Sequence, residues 1–254
     1  MIVKIGASLG LAVLSMTAAV ELTEANAASF QADEIRNLNV SYQGSEEQTF
    51  SASEKAAIEA ILSDTYEQVK SIYPDLANEV SVSVRTLARD LTMVGHVTGM
   101  AAAPGRIVIM ISSLHPESLE AAARDGLAGT FAHELHHLRR GWTIEGNHYG
   151  PGIQIATINE GLAVIFAESI TGASKPGNMQ PDEPTSLDWA REIRALPVDA
   201  DYGTWMFQHP DGRMGVGYRT GRFLVQRAME NSGLDIVALS EHTPDEIWAW
   251  ADVE

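Results

Sequence analysis

The segment His133-Glu134-Leu135-His136-His137 constrains this chain more than any other stretch of its sequence. It is a His-Glu-x-x-His pattern, and on a helix its first and last histidines, four residues apart, project from the same face. Two histidines in that arrangement can bind one Zn²⁺, and Glu134 beside them can hold a water molecule at the metal. The pattern therefore predicts a helix that carries two zinc ligands.

The residues around this segment predict that the helix is amphipathic. Four apolar residues recur there at helical spacing: Leu127, Phe131, Leu135 and Leu138. On a 3.6-residue period they point roughly 120–160° away from His133. A solvated His/Glu face without a metal is the alternative interpretation, and the combination of an apolar back with a histidine-bearing front argues against it. Gly141 follows the last turn and suits a C-terminal cap.

The first residues have the layout of a secretory signal peptide. Lys4 precedes a mostly apolar run over residues 5–20, and a more polar stretch then closes on Ala25-Asn26-Ala27. The run is shorter than the roughly 20 residues that a membrane span needs, and an uncleaved N-terminal anchor is the alternative interpretation. We expect cleavage after Ala27, a single domain over residues 28–254, and a secreted or periplasmic protein without stable membrane association.

The composition limits the classes of function. The 254 residues carry a formal net charge of −17, and such an acidic surface repels the phosphates of nucleic acids and anionic lipids. The chain contains no cysteine, so an exported form must be stabilised by its core and by any metal that it binds. We expect no nucleic-acid partner.

Helical and strand patterns indicate an α+β chain in which helices dominate. Ser51-Ala52-Ser53-Glu54 is a capping-box pattern that opens a helix, which Pro74 stops. Valines that alternate with polar residues from residue 80 predict a strand, and the β-branched run 107–111 predicts a second one. After the His-Glu-x-x-His helix, the pattern predicts helices over residues 155–171, 187–195 and 217–231 and a last helical piece that ends at Trp250. The expected fold is a small sheet before the metal-binding helix and a helical C-terminal part.

The segment 95–105, rich in Gly and Ala, has two interpretations. The favoured one is that it merely connects the two predicted strands as part of a hairpin. The alternative is functional, because a sheet edge with open backbone groups can hold an extended peptide beside the metal.

A catalytic zinc ion usually has three protein ligands and one open position, so His133 and His137 need a partner. Glu160 in the next predicted helix is the preferred candidate, because a carboxylate on an otherwise apolar helix is costly to bury unless a cation meets it. His148, in the loop before that helix, is the alternative ligand. Glu168 lies roughly 80° from Glu160 around the helix and is expected to support the site from outside or to face solvent.

Three segments carry a resemblance to a known type of enzyme. They are Ala132-His133-Glu134-Leu135-His136-His137, Asn159-Glu160-Gly161-Leu162-Ala163 with Phe166-Ala167-Glu168, and Gly217-Tyr218-Arg219-Thr220-Gly221 with Val225-Gln226. Together they resemble the gluzincin type of metallopeptidase, in which a second helix supplies a Glu ligand. More narrowly, they resemble an uncharacterised bacterial family of predicted Zn-dependent proteases. One position departs from the thermolysin-like pattern, because Val164 stands where that pattern has an Asp that orients a ligand histidine.

The resemblance implies a zincin-like metallopeptidase domain with one Zn²⁺ held by His133, His137 and Glu160 and with a peptide or protein as substrate. In such a site, Glu134 accepts a proton from the attacking water and returns it to the leaving amine. A metal-binding scaffold without catalysis and a zinc hydrolase of a non-peptide bond are the alternatives. Glu134 disfavours the scaffold, since a vestigial site would be expected to lose this carboxylate.

Stabilisation of the oxyanion needs a further hydrogen-bond donor. Tyr218 is the leading candidate, because it opens a predicted helix directly after a Gly-rich turn. Its alternative role is to anchor that helix by packing of the ring. His209 is a weaker candidate for the same donor.

Overall fold

The structure, a computed structural model, describes residues 38–44 and 49–253. The predicted signal peptide, residues 1–27, lies outside the described residues. In chain order the elements are β1 (Leu38–Gln43), α1 (Ala52–Ile72), β2 (Val80–Leu87), β3 (Val97–Ala103), β4 (Arg106–Ser112), α2 (Leu119–Arg140), α3 (Ile153–Thr171), α4 (Glu183–Arg194), α5 (Val216–Ser232), α6 (Ile236–Leu239) and α7 (Pro244–Ala251). Short 3₁₀ turns at Thr92–Val94 and Pro176–Asn178 and one π-helical turn at Gly203–Phe207 lie between them. The prediction of a helix-dominated α+β fold with a small sheet before the His-Glu-x-x-His helix is confirmed.

The strands of the described residues form one sheet in the order β1-β2-β4-β3. β2 pairs in parallel with β4, and β3 pairs antiparallel with β4, with Gly99 opposite Ile109. The favoured interpretation of segment 95–105 as a mere connection is therefore wrong, because residues 97–103 are themselves a strand at the edge of the sheet. Gly and Ala have a low preference for strands, and pairing with the strongly β-forming β4 outweighs it here.

The helices begin and end where local chemistry favours it. The Ser51 hydroxyl accepts a hydrogen bond from the backbone N–H of Glu54, and the Glu54 carboxylate accepts one from the backbone N–H of Ser51, which confirms the capping box of α1. The Ser118 hydroxyl caps α2 by accepting from the backbone N–H of Ala121. α2 ends at Gly141, which has the left-handed φ of 72° expected of a C-cap.

α3 is the central helix of the helical part. Within the described residues, it is the one helix whose length and apolar composition would suffice for a membrane span, but 72% of that stretch is buried inside the protein. Burial of this kind is the property of a core helix. α3 packs against α2 on one side and against α5 on another.

Backbone contact between α3 and α5 brings the start of α5 to the metal ligands. A Cβ atom at Gly161 would lie 2.3 Å from the carbonyl carbon of Gly221, and one at Gly221 would lie 2.0 Å from the carbonyl oxygen of Thr157. No side chain fits in that space, so both glycines are required for the approach. Since Glu160 precedes Gly161 and Tyr218 lies one turn before Gly221, the contact places these two side chains near each other.

Candidate metal centre

Three side chains from α2 and α3 converge as the sequence predicts. The Nε2 atom of His133 lies 3.0 Å, and that of His137 lies 3.1 Å, from the same carboxylate oxygen, Oε2 of Glu160. A tetrahedral zinc ion with bonds of about 2.0–2.1 Å holds its ligand atoms roughly 3.3 Å apart. The donor atoms and their spacing therefore fit a metal ion, and this group could hold one.

The electrostatics of the group favour positive charge at the point where the three side chains meet. Burial by itself would raise the pKa of Glu160, but His137 and His133 hold it well below its ordinary value. Burial by itself would lower the pKa of His137, but Glu160 raises it above its ordinary value. A buried carboxylate needs a cationic partner. The Nε2 atoms of His133 and His137 are the hydrogen-bonding partners of Glu160 here, and a metal ion between the three side chains would supply the positive charge.

Glu134 lies beside the ligand pair and beneath β3. A Cβ atom at Gly99 of β3 would lie 2.8 Å from Cγ and 2.9 Å from Oε1 of Glu134. Only glycine allows the strand to pass so close to the carboxylate. Burial raises the pKa of Glu134, against the opposing effect of the two histidines. The site thus combines a carboxylate that can accept a proton with an adjacent residue of the edge strand, Gly99, that has no side chain.

The second oxygen of Glu160 is held by two residues that the sequence did not reveal. Oε1 accepts hydrogen bonds from Nε1 of Trp142 at 3.2 Å and from the hydroxyl of Tyr202 at 3.4 Å. Trp142 follows the C-cap of α2, and Tyr202 lies at the start of the π-helical turn. No spacing rule links either residue to Glu160, so local sequence patterns carry no signal for them.

Tyr218 lies next to this network. Its hydroxyl lies close to that of Tyr202, and its ring stacks on Phe207 with a centroid distance of 6.4 Å. Because a hydroxyl has a single proton and Tyr202 donates its own to Glu160, Tyr218 is the donor in the interaction between the two phenols. Burial raises the pKa of both phenols, followed by the effect of Glu160. Both are therefore neutral hydrogen-bond donors.

Two further histidines near the motif lie elsewhere. His136 is buried, its Nε2 lies 2.9 Å from the Ser240 hydroxyl, and burial lowers its pKa well below the ordinary value, so it is a neutral structural residue. His148, the alternative third ligand, is exposed and lies against Gly141, where an added Cβ would be 2.2 Å from its Nδ1. The metal group assembles without it.

The remaining sequence candidates have partners of their own. Glu168 forms a bidentate pair with Arg222, with Nε of the guanidinium 3.0 Å and 3.1 Å from the two carboxylate oxygens. His209 has its Nδ1 2.8 Å from Oδ1 of Asp211 in a small hairpin after the π-helical turn. Neither is a member of the metal group.

The outer support of the ligand histidines differs from the thermolysin-like arrangement, as Val164 suggests. Nδ1 of His137 is buried and has no hydrogen-bond partner in the part of the chain that the structure describes. Val164 on α3 is buried and apolar and cannot accept a proton from a histidine. The orientation of His137 therefore depends on packing rather than on a carboxylate.

A second group of two histidines and a carboxylate lies at the other end of α2. His96, His115 and Asp125 present potential ligand atoms within 4.8 Å of one another. Nδ1 of His115 accepts from the backbone N–H groups of Glu117 and Ser118 at 3.2 Å and 3.4 Å, and its Nε2 lies 3.2 Å from Oδ2 of Asp125. Because Nδ1 is the acceptor, Nε2 carries the proton and donates it to Asp125.

Comparison with known proteins gives one finding. A sequence model of the family described as "Predicted Zn-dependent protease (DUF2268)" matches residues 58–249, a range from α1 to α7 that includes every residue of the metal group. Neither the curated proteins nor the solved structures contain a match.

Proposed function

The chain belongs to the family of predicted Zn-dependent proteases, and from this premise we propose that it is an exported zinc metallopeptidase that hydrolyses peptide bonds. One observation carries the proposal: Nε2 of His133 and of His137 converge on Oε2 of Glu160, with Glu134 beside them. These three residues would hold one Zn²⁺ and match a catalytic site, which has three protein ligands. When bound, the ion polarises a substrate carbonyl and makes water a stronger acid.

Glu134 is proposed to hold the attacking water and to move its proton. Among the described residues, none forms a hydrogen bond with the Glu134 carboxylate, so both of its oxygens are available to a water molecule. The carboxylate accepts a proton as the water attacks the carbonyl carbon, and it then delivers the proton to the amine that leaves. Its position between the ligand pair and β3 suits both transfers.

The edge of β3 is proposed to bind the substrate backbone. The carbonyl oxygen of Val97 accepts from the Thr130 hydroxyl at 3.1 Å, and that of Ala101 accepts from a backbone N–H in the loop after α2 at 3.0 Å. Both oxygens therefore point away from β4, toward the open edge of the sheet. Backbone direction alternates along a strand, so the N–H and C=O groups of Gly99, midway between them, point to the same edge. Within the described residues, no group outside the sheet bonds to Gly99. An extended peptide that pairs with Gly99 would pass directly over Glu134.

Tyr218 is proposed to donate a hydrogen bond to the oxyanion that forms during attack. Its hydroxyl lies close to that of Tyr202 and beside Glu160, so its proton would be available to a substrate oxygen near the proposed metal site. Tyr202 acts through Tyr218 and Glu160, because its own proton is donated to Glu160. It is a positioning residue.

Export rests on the sequence of residues 1–27, with cleavage proposed after Ala27 and a secreted or periplasmic location. Intact-mass measurement of the material exported by a host cell tests this part of the proposal. A product that begins at residue 28 is expected. A product that still begins at Met1 would contradict it and indicate a tethered protein.

The activity is tested on the purified mature protein with casein, short peptides and simple esters, each with and without a chelator. We expect hydrolysis of the peptide substrates that the chelator removes and added zinc restores. Glu134→Gln should retain zinc and lose hydrolysis by about 10²–10⁴-fold. Zinc binding without any hydrolysis would indicate a non-catalytic metal-binding protein, and cleavage of esters alone would indicate a hydrolase of another bond.

A further inference from the structure

A cavity lies beside the proposed metal site, between α2 and α3. Its lining includes His133, the small or apolar residues Val164 and Ala167 of α3, and two charged side chains, Glu168 and Lys175. His133 is a proposed zinc ligand, so a substrate residue next to the scissile bond would have this cavity within reach. The charged groups that line it therefore bear on which substrates are accepted.

Of the two charged side chains, Glu168 is in a salt bridge and Lys175 is not, although the Glu134 carboxylate attracts Lys175 from beyond salt-bridge distance. Both oxygens of Glu168 are engaged by Arg222, whose guanidinium donates to them at 3.0–3.1 Å. Lys175 forms no ion pair with any described residue. Its Nζ donates a hydrogen bond to the Thr130 hydroxyl at 2.6 Å, and that hydroxyl in turn donates one to the Val97 carbonyl oxygen. An ammonium group has three N–H donors, so two of them have no acceptor among the described residues.

The ammonium group is positioned close to the reacting centre. Thr130, its partner, lies one helical turn before Glu134, and the two side chains share a surface: a Cβ at Gly99 would lie 3.0 Å from Cγ2 of Thr130 and 2.9 Å from Oε1 of Glu134. Burial lowers the pKa of Lys175 to about 8, and Glu134 acts in the opposite direction. A cation that is partly removed from water and incompletely bonded is costly, and an incoming anion relieves that cost.

We propose that Lys175 determines substrate specificity and that the substrate residue bound in this cavity carries a carboxylate. The inference rests on the proposed peptidase function and names its substrate class. The carboxylate belongs either to an Asp or Glu side chain next to the scissile bond or to the C-terminus of a short peptide. In both cases the carboxylate accepts charge-assisted hydrogen bonds from the two free N–H groups of the Lys175 ammonium.

The test uses matched peptides that differ in one group. Peptides with Glu, Gln or Lys beside a common cleavage site are prepared with a free or an amidated C-terminus, and products are identified by mass spectrometry. We expect kcat/KM for the carboxylate-bearing peptides to exceed that for their neutral analogues by about 10- to 100-fold. A preference that follows the Glu side chain identifies an acidic residue as the ligand, and one that follows the free C-terminus identifies the chain end.

Lys175→Met should remove this preference while neutral peptides are cleaved within about threefold of wild type, and Lys175→Arg should restore part of it. Zinc content should not change in either variant. Lys55→Met, which removes a lysine on α1, is the matched control and should behave as wild type. An equal loss on Glu and Gln peptides in Lys175→Met, or no carboxylate preference in the wild type, would overturn the proposal and leave only a structural bond to Thr130.

A binding measurement separates this inference from the proposed activity. Calorimetry with the zinc-loaded Glu134→Gln variant compares the Glu peptide with its Gln analogue without any hydrolysis. The Glu peptide should bind at least about tenfold more tightly, and Lys175→Met in the same background should abolish the difference. If wild type cleaves no peptide but this difference appears, the peptidase function fails and the carboxylate site stands. Equal affinity for the two peptides refutes the site whatever the activity.

Discussion

The described residues contain two groups of two histidines and one carboxylate, and the groups differ in which nitrogen lone pairs are free. In the group His133, His137 and Glu160, both Nε2 atoms point at one carboxylate oxygen, and two of the three residues are buried. In the second group, Nδ1 of His115 is occupied by two backbone N–H groups, and its Nε2 donates to the exposed Asp125.

The comparison shows that residue types alone do not make a metal site. A histidine binds zinc through a deprotonated nitrogen, and its other nitrogen must then carry the proton. Two backbone N–H groups donate to Nδ1 of His115 and so oppose the tautomer with a proton on Nδ1, which binding of zinc at Nε2 requires. In the described part of the chain, no donor forms such a bond to Nδ1 of His133 or His137. We therefore expect one zinc ion per chain, at the first group.

The largest expected effect comes from removing a ligand. His137→Ala should lower zinc affinity by at least about 100-fold and abolish hydrolysis, because two ligands do not complete the site. His115→Ala should leave one zinc per chain. Metal analysis after dialysis checks both variants, and two zinc ions per wild-type chain, with one lost in His115→Ala, would break the comparison.

A second pair of variants tests the third ligand. Glu160→Ala should cost most of the zinc affinity, because it removes the oxygen on which both Nε2 atoms converge. His148→Ala should retain the metal, since His148 is exposed and lies outside the group. The opposite result in the same metal analysis would make His148 the ligand.

The phenols of Tyr202 and Tyr218 lie next to the first group, and they sharpen the comparison. Tyr218→Phe should lower kcat by about 10²–10³-fold with little change in KM or metal content, because it deletes the proposed oxyanion donor and keeps the ring on Phe207. Tyr202→Phe should have a smaller effect, since Tyr202 acts through its neighbours. Turnover of Tyr218→Phe within about twofold of wild type would assign Tyr218 to packing, and His209→Ala would then be the next variant.

The smallest effect is expected at Asp125. Asp125→Asn weakens a partly exposed hydrogen bond from Nε2 of His115, whose contribution to folding should be about 1 kcal/mol or less. Zinc content and activity should equal those of wild type. Urea unfolding measures the free energy of unfolding. A loss of zinc in Asp125→Asn would show that the second group binds metal after all.

Residues that act through short spacing could be predicted from the sequence. His133 and His137 are four residues apart on one helix, and the apolar residues opposite them indicated which face is buried. Glu160 was found by a different argument, from the cost of a carboxylate on an apolar helix. In each case the physical cause lies within one or two turns of helix.

Other features of the site depend on residues that are distant in sequence. Four of the seven residues of β3 are Gly or Ala, which have little strand preference, and pairing with β4 makes the segment a strand beside Glu134. Trp142, Tyr202 and Lys175 reach the site from three separate loops or turns, and their roles follow from contacts that no periodicity encodes.

The sequence by itself thus determined the metal-binding helix, the second helix with its carboxylate and the α+β class, because helical period, caps and the cost of buried charge operate locally. Only the tertiary structure decided which sheet edge lies over Glu134, which hydrogen bonds hold Glu160, and which of the two histidine groups keeps its lone pairs free. Those outcomes depend on how separate elements pack, and packing brings together atoms whose distance in space bears no fixed relation to their distance along the chain.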